Sequence, residues 1–566
     1  MNKNQEIAEI FDKIADALEF KGENSFRIGA YRKASRILKE YPEDIEEVYK
    51  RGEIQKIPGI GKGMAEKIAE YLETGKIKKY YEAIEGIPEN LLQLLEIPNL
   101  GPKTLNLVYN KLGVKSLEDL EKAIENKQLA KLFGMGEKKV ENIKKGIELY
   151  KQGKERIPLG IALPIVEEII NELKKYTKKI EPAGSLRRMK ETIGDIDILA
   201  TGENNIEIIE KFINLPFVKE VLAKGDTKAS VIVKTNNLQV DLRVVSSDSF
   251  GAALQYFTGS KAHNIKLRGM AKDKGLKISE YGVFKGDKKI AGEREEDVYK
   301  ILGLIWIPPE IREDRGEIEA ALNNNLPILV EGSDIKGDLH VHSKYSDGVE
   351  TIEEIAIKAK TFGYEYIGIC DHSKTSKIAG GLDEEGLKRR NEEIDRVNER
   401  IKGIRVLKGM EVDILADGSL DYSDKILEQL DFVIASIHQG FKKNVTERIK
   451  KAIENPYVDI IAHPTGRLLS GREGYEVDID EIIEYSSKYN VALEINCYPD
   501  RLDLNDINIL KGKSKNLKFA LGTDSHNIGM LKYIKFGIGM ARRGWLTKNE
   551  ILNTYQWEKM PLRRRK

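Results

Sequence analysis

GDLHVHSKYSDG, residues 337–348, places His340 and His342 two apart in an apolar run, with Asp347 in the turn that follows. Residues i and i+2 of an extended strand share a face, so both imidazoles leave one strand end on the same side. The pattern recurs downstream. His372 comes just after YIGIC, Glu411 after VLKGM, His438 after VIASI and His463 after VDIIA, while Asp524 and His526 repeat the spacing of two after FALGT. Six of the seven histidines fall after residue 339. Metal-type ligands at the C-terminal ends of successive strands point to a multinuclear metal site in a β/α architecture. As satisfied core histidines they would each need buried partners, an improbable demand. Mixed imidazole and carboxylate donors favour Zn²⁺, Mn²⁺ or Fe²⁺ over Mg²⁺ or Ca²⁺. Strand-like segments near 335–341, 366–370, 405–411, 432–437, 458–462, 491–495 and 518–522 alternate with helix-like stretches. That rhythm fits a closed β/α barrel one strand short of the usual eight, with an open parallel sheet as the alternative. Cys370 beside the cluster reads as core. Lys374 and Arg467 lie in loops after two of these strands, as phosphate ligands or as solvated surface.

A second acidic centre lies upstream in GSLRRMKETIGDIDIL, residues 184–199. Asp195 and Asp197 alternate on a strand, and Asp241 in LQVDLRV has similar apolar neighbours. Three carboxylates brought together repel unless a hard cation neutralises them, and Mg²⁺ suits such oxygen ligands together with phosphate oxygens. The bland alternative is a solvated strand edge. Gly184 permits close backbone approach, and Ser185, Arg187 and Arg188 supply donors for a triphosphate. Farther on, YFTGSKAHNIKLRG sets Tyr256 and Phe257 beside a Gly turn, suited to a sugar or base although also to a core. Asn264 and Arg268, four apart, share a helix face that can meet a base pair.

The first 150 residues carry helical periodicity, punctuated by IPGIGKGMAEKI from Ile57, IPNLGPKTLNLV from Ile97 and LFGMGEKKVENI from Leu132. Each pairs a Gly-bearing turn with a new helix N-terminus, where backbone N–H groups can bind phosphate. Bulk charge is +1, from 93 basic and 92 acidic residues, so any nucleic-acid grip is local. Between Lys261 and Lys289 nine basic residues face three acidic ones, and the chain ends in LRRRK. Two cysteines exclude a disulfide framework. No apolar run is long enough for a signal or a span, so a cytoplasmic protein without membrane contact is expected.

Residues 1 to about 316 resemble a family X DNA polymerase, in IPGIGKGMAEKI, IPNLGPKT, GSLRRMKETIGDID with DLR, and YFTGSKAHNIKLR. The resemblance implies that Asp195 and Asp197 bind two Mg²⁺ ions with the dNTP, and that Asp241 binds the ion activating the primer 3′-OH. Ser185 and Arg188 would hold the triphosphate, Tyr256 and Phe257 line the sugar pocket, Asn264 contact the incoming nucleotide and Arg268 the template. Lys67 matches the Schiff-base lysine that removes a 5′-deoxyribose phosphate. Two departures stand out: Met189, where the family often has Gly, and Gly63, where lyase-proficient members carry a phosphate-binding lysine.

Residues 335 to 566 resemble a PHP domain, with all nine ligand positions filled. The resemblance implies up to three Mn²⁺ or Zn²⁺ ions: one at His340, His342, Glu411 and Asp524, one at Glu411, His438 and His463, and one at Asp347, His372 and His526. The expected fold is multidomain α+β and α/β. Helix–hairpin–helix domains span 1–84 (lyase-like) and 85–152 (fingers-like), with a nucleotidyltransferase palm of mixed sheet at 153–246 and a thumb at 247–316. A linker at 317–334 leads to a distorted (β/α)7 PHP barrel at 335–566. The expected function is monomeric DNA-directed gap filling in repair from gapped or primer-template DNA and dNTPs, with 3′–5′ exonuclease in the barrel and abasic-site or 3′-phosphate processing also open. The alternatives are a DNA-binding scaffold with a degenerate polymerase centre, or a barrel acting as a small-molecule phosphatase. The two halves read as separable enzymes, so a chain ending before residue 320 is expected to extend primers.

Overall fold

The computed structural model describes every residue except Met1, Asn2, 41–44, Pro58, Glu89, Asn90, Gln93, Pro98, Asn99, Lys154, Glu155, Arg472 and 564–566. These residues form two compact units, one of Met1–Glu155 with Gly471–Glu473, the other of Arg156–Ser470 with Gly474–Lys566.

The first unit is helical. Helices Lys3–Phe20 and Ser25–Glu40 bury Ile7, Phe11, Ile14, Tyr31 and Ala34, the spacing their sequence displays. Two hairpins take the form expected of them. Helix Lys62–Thr74 starts after Gly61 and helix Pro102–Leu112 after Gly101, both glycines extended and without a side-chain cap. Their first N–H groups therefore have no intrahelical partner. Ile57 and Ile60 anchor the first turn in the core, as Ile97 and Leu100 do the second. Gly59 has φ +86°, and a Cβ there would lie 2.6 Å from Ile37 Cδ1, so this turn requires glycine.

The second unit opens with a five-stranded mixed sheet. Its order is Lys179–Pro182, Ile196–Thr201, Gln239–Val244, Lys228–Val233, Val218–Lys224. The second and third of these strands pair in parallel and the rest antiparallel. Helices Leu159–Leu173 and Asn205–Ile213 bury Ile169, Ile208 and Phe212 in the same core. Helices Phe250–Thr258 and Lys261–Asp273 follow, then an antiparallel three-stranded meander over Lys277–Ala291.

Downstream, all strands pair in parallel. Six expected strands form, as Gly337–Val341, Tyr366–Ile369, Ile434–Ser436, Ile460–Ile461, Ala492–Asn496 and Phe519–Gly522. The expected strand 405–411 is instead two, Arg405–Lys408 and Glu411–Asp413, and the sheet divides between them. The break falls at Gly409, where a Cβ would meet Phe432 Cζ at 2.6 Å and Cys370 Sγ at 2.7 Å. Backbone bonds from His342 N to Ser525 O (2.8 Å) and Asp524 N to His340 O (2.9 Å) join the last strand to the first, closing a barrel. Leu339, Tyr366, Leu407, Ile434, Ile460, Ala492 and Ala520, one from each strand except Glu411–Asp413, share a cluster with Leu552, Trp557 and Met560 of the C-terminal segment. Side chains thus fill the interior, and the strand ends are left for chemistry.

The palm and the barrel do not behave as separate modules. Residues of both, including Val166, Ile169, Val330, Leu493 and Phe536, belong to one continuous hydrophobic cluster. Gly160 sits so close to the loop after Ala492–Asn496 that a Cβ would come within 2.2 Å of Pro499 Cβ. The expected linker is also no free tether. Helix Glu317–Leu322 buries Ile318 and Ala321 with the thumb residues, and Val330 pairs with Leu546 through its N–H at 3.0 Å. The basic C-terminus enters the same packing: Arg563 donates to the carbonyls of Ile453 and Asn455, and the rest of LRRRK beyond it lies outside the described residues.

The expectation of a separable polymerase half is therefore corrected, because truncation would strip apolar partners from the palm. A chain ending at residue 320 should melt below the full-length protein or aggregate, followed by circular dichroism and light scattering. A truncated chain with an unchanged melting temperature would contradict the shared core.

Candidate metal centres

All nine histidine and carboxylate positions at the strand ends converge. Glu411, 1% exposed, has five imidazoles around it: Oε2 lies 2.9 Å from His372 Nδ1, 3.6 Å from His340 Nε2 and 3.7 Å from His342 Nε2, and Oε1 lies 3.1 Å from His463 Nε2 and 3.3 Å from His438 Nε2. Asp524 Oδ1 reaches His342 Nε2 at 3.2 Å, and Asp347 lies 3.3 Å from His526 Nε2 and 3.6 Å from His372 Nε2. Among the described residues, three groups have ligand atoms close enough to hold an ion: His342, Asp347, His372 and His526; His340, His342 and Asp524; His372, Glu411 and His438. This partition differs from the expected one, since His342 and His372 each serve two groups and His463 meets Glu411 from outside them.

Several buried polar atoms here lack a hydrogen-bond partner: His340 Nε2, both nitrogens of His342, His372 Nδ1 and Glu411 Oε2. Left bare, each costs on the order of 1–3 kcal/mol, so their concentration in one cluster fits divalent cations. The electrostatics agree. Burial opposes the charge of Glu411, yet His438, His372 and His340 hold its carboxyl well below the usual range. Burial, followed by repulsion from His526 and His372, pushes His342 down to about 4, leaving a neutral imidazole of the kind that binds metal.

A ring of supporting groups was not singled out from the sequence. His340 Nδ1 lies 2.6 Å from Glu494 Oε1, and Glu494 Oε2 accepts from His463 N at 2.7 Å. His438 Nδ1 lies 2.5 Å from Asp413 Oδ1. These carboxylates fix which imidazole nitrogen faces the cluster. Their one signal in the sequence is an acid within an otherwise apolar strand, as in VALEIN and EVDIL. Arg501, also missed, brings Nε to 3.6 Å from Asp524 Oδ2. His463 and Asp524 have φ of +27° and +53°, strained values for such residues and typical of functional sites. The two loop candidates for phosphate are engaged elsewhere. Arg467 donates to Glu191 Oε2 (2.7 Å) and to the Arg501 carbonyl, and Lys374 lies over the Tyr422 ring. Cys370 is buried in the barrel interior, as expected.

In the palm, parallel register sets Asp197 directly opposite Asp241, with Asp195 just before the same strand. Burial first, then the neighbouring charges of Asp195 and Asp241, raise Asp197 to about 6. For Asp241 burial is outweighed by donors: Ser230, Gln239 Nε2 at 3.1 Å and Lys228 Nζ at 3.1 Å hold its carboxyl below the usual range. A crowded acidic trio, one member of which resists ionising, suits a divalent cation. Gly184, φ +61°, lets the loop approach until a Cβ would stand 3.1 Å from Asp197 Oδ2. Ser185 lies in the helical turn that follows, Gly184–Arg187.

Arg187 forms a two-pronged pair with Glu295 at 2.8 and 3.0 Å, so it secures the thumb rather than facing solvent. Arg188 Nε donates to Glu313 Oε1 at 3.0 Å. Tyr256 and Phe257 pack edge to face at 5.2 Å, with the Arg243 guanidinium 4.6 Å from the Phe257 ring. Asn264 donates to the Tyr256 carbonyl at 2.7 Å and accepts from Gln255, while Arg268 is exposed and donates to the Asn264 carbonyl. In the N-terminal unit, Lys67 is half-buried and donates to the Gly63 carbonyl at 2.9 Å.

Comparison with known proteins gives the same architecture. Residues 2–77 match a helix-hairpin-helix domain, 91–148 a SAM-like helix-hairpin-helix tandem, 253–313 the DNA polymerase beta thumb and 338–497 the PHP domain. A "DNA polymerase/3'-5' exonuclease PolX" of Bacillus subtilis (strain 168) is 41% identical over 559 residues, 97% of each chain. A probable phosphatase of Thermoanaerobacter sp. (strain X514) is 31% identical over 232 residues, 38% of this chain and 89% of that one. A probable phosphatase of Acetivibrio thermocellus is 28% identical over 226 residues, 38% and 86% of the two chains. Among the described residues no helix is long and apolar enough to cross a membrane.

Two outcomes follow from these centres. Glu494→Ala should lower metal affinity of the barrel by roughly 10–100-fold, as loss of an orienting partner does; metal titration of the apo protein measures it, and unaltered affinity would remove Glu494 from the site. Asp197, with its folded pKa raised above the unfolded value, stabilises the metal-free protein below about pH 4. That contribution disappears as pH rises through about 6, where the carboxylate is charged beside Asp195 and Asp241. Asp197→Asn should thus stabilise the chelator-treated protein at pH 7 by about 1 kcal/mol after solvent screening, and by less at pH 4. Thermal melts at the two pH values test this; equal shifts would contradict it.

Proposed function

The chain belongs to the family X DNA polymerases that carry a C-terminal PHP domain, and from this we propose a repair polymerase that fills short gaps and trims 3′ ends. The observation that carries the polymerase reading is the parallel register of Asp197 against Asp241, with Asp195 two residues away. Asp195 and Asp197 would hold two Mg²⁺ ions with the dNTP, and Asp241 the ion nearer the primer 3′-OH. Lys228 Nζ, 3.1 Å from Asp241 Oδ2, holds that carboxylate in place. Ser185 and Arg188 bind the triphosphate, Tyr256 and Phe257 bound the sugar pocket, Asn264 meets the incoming nucleotide and Arg268 the template. Asn264 is pre-oriented for this by its bonds to Gln255 and the Tyr256 carbonyl. Phosphates flanking a short gap suit the uncapped helix N-termini after Gly61 and Gly101.

In the barrel His340, His342, Asp347, His372, Glu411, His438, His463, Asp524 and His526 would hold up to three ions, with Mn²⁺ or Zn²⁺ preferred for the imidazole-rich donor set. Bound divalent ions supply Lewis acidity at both centres, and in the barrel an activated water as well. Glu494 and Asp413 hold His340 and His438 with one nitrogen turned inward, and Arg501 stands beside Asp524 with a positive charge for a phosphate oxygen. A second reading, phosphate-monoester hydrolysis on a small molecule, is favoured by the similarity to probable phosphatases.

One labelled gapped duplex separates these activities. Asp241→Ala should reduce nucleotide addition by more than roughly a thousandfold and spare 3′ degradation, while His342→Ala or Glu411→Ala does the reverse. Mn²⁺ should support degradation better than Mg²⁺. Wild-type extension by the Asp241 variant would refute the polymerase assignment; an intact 3′ terminus with hydrolysis of a free phosphate monoester would establish the second reading.

A further inference from the structure

The loop that carries Ser185 and Arg188 is gripped by the barrel. Arg543, 2% exposed at the end of helix Ile534–Arg543, donates from Nη1 to the Arg188 carbonyl at 2.7 Å and to Glu313 Oε1 at 3.0 Å. Its Nη2 donates to Asp506 Oδ2 at 2.6 Å, and Arg315 Nη1 reaches the same oxygen at 2.9 Å. Glu313 Oε1 also accepts from Arg188 Nε at 3.0 Å. One carboxylate oxygen is therefore shared between the palm arginine and the barrel arginine.

A second contact acts on the next residue. Met189 has φ +52°, a left-handed value that glycine adopts freely and methionine does not. It is accommodated by Gly539, one turn before Arg543 on the same helix, where a Cβ would come within 2.5 Å of Met189 Cε. Packing against the barrel thus stabilises a turn that the chain at Met189 disfavours by itself. Without Arg543, the Arg188 carbonyl loses its buried donor, and Glu313 binds the Arg188 guanidinium, itself tied to the Thr258 carbonyl, with Lys190 as the other nearby cation.

We propose that Arg543, together with the Met189–Gly539 contact, is a positioning device through which the barrel sets the geometry of the triphosphate-binding loop in the palm. This rests on the reading of Arg188 as a triphosphate ligand. It makes nucleotide affinity depend on a barrel helix that carries none of the barrel's metal ligands.

Single-nucleotide insertion by the full-length chain on a gapped duplex, with dNTP concentration varied, tests it. Arg543→Ala and Met189→Ala, the latter removing the contact with Gly539 while keeping the disfavoured φ, should each raise the KM for dNTP on the order of tenfold, as displaced ligands do, with kcat within about twofold of wild type. Arg543→Lys, which keeps the charge but not the fork, should recover part of the loss. Degradation of the 3′ end should be unaltered. If Arg543→Ala does not fold, as a melt will reveal, Met189→Ala decides, because it loses only the contact with Gly539. Arg188→Ala separates the two claims: an unchanged KM there refutes the triphosphate reading itself. A raised KM for Arg188→Ala with wild-type values for the folded Arg543 and Met189 variants overturns the positioning proposal.

Discussion

A carboxylate almost wholly removed from solvent, Glu411, stands among five imidazoles within 3.7 Å, and the barrel is organised around the demand this makes. Such a group is tolerable only if positive charge surrounds it. The imidazoles arrive from the ends of several parallel strands, so barrel closure between the first and last strands is what brings them to one point. Glu494 and Asp413 then turn His340 and His438 inward, and the unpartnered nitrogens left in the middle are the mark of a site built for cations.

The palm meets a related problem more openly. Asp197 and Asp241 are forced together by register; hydrogen bonds from Ser230, Gln239 and Lys228 hold Asp241 ionised, whereas for Asp197 burial and the like charges outweigh the attraction of Arg243 and Lys228. Carboxylates crowded in this way suit a hard cation that shares its coordination with phosphate oxygens. The barrel cluster is richer in imidazole and more deeply buried.

The two centres share a framework. A continuous apolar cluster runs from the palm helices into the barrel, and Arg467–Glu191, Lys535–Glu167 and Arg542–Glu310 pair charges across the junction. Arginines that look like free phosphate ligands in a linear reading, Arg187 and Arg467, are consumed by this framework. Positive residues near a phosphate site are ambiguous for that reason: the same fork that fits a phosphate fits a carboxylate.

The sequence by itself determined the helical N-terminal repeats, the strand-and-helix rhythm of the C-terminal half and the placement of its histidines at strand ends, because each is written in local spacing. Alternation by two puts His340 beside His342, and helical periodicity buries Ile7, Phe11 and Ile14 together. Tertiary structure alone decided what depends on contacts between distant segments. It split the strand at Gly409, where Phe432 and Cys370 leave no space for a side chain, and it set His342 and His372 between neighbouring ligand groups. It also set Glu494 and Asp413, visible in the sequence only as acids within apolar strands, against His340 and His438, and joined palm to barrel through a core whose two sides are hundreds of residues apart in the chain. Local periodicity carries no information about which distant surface a face will meet, and that choice rests on shape and charge that exist only once both partners have folded.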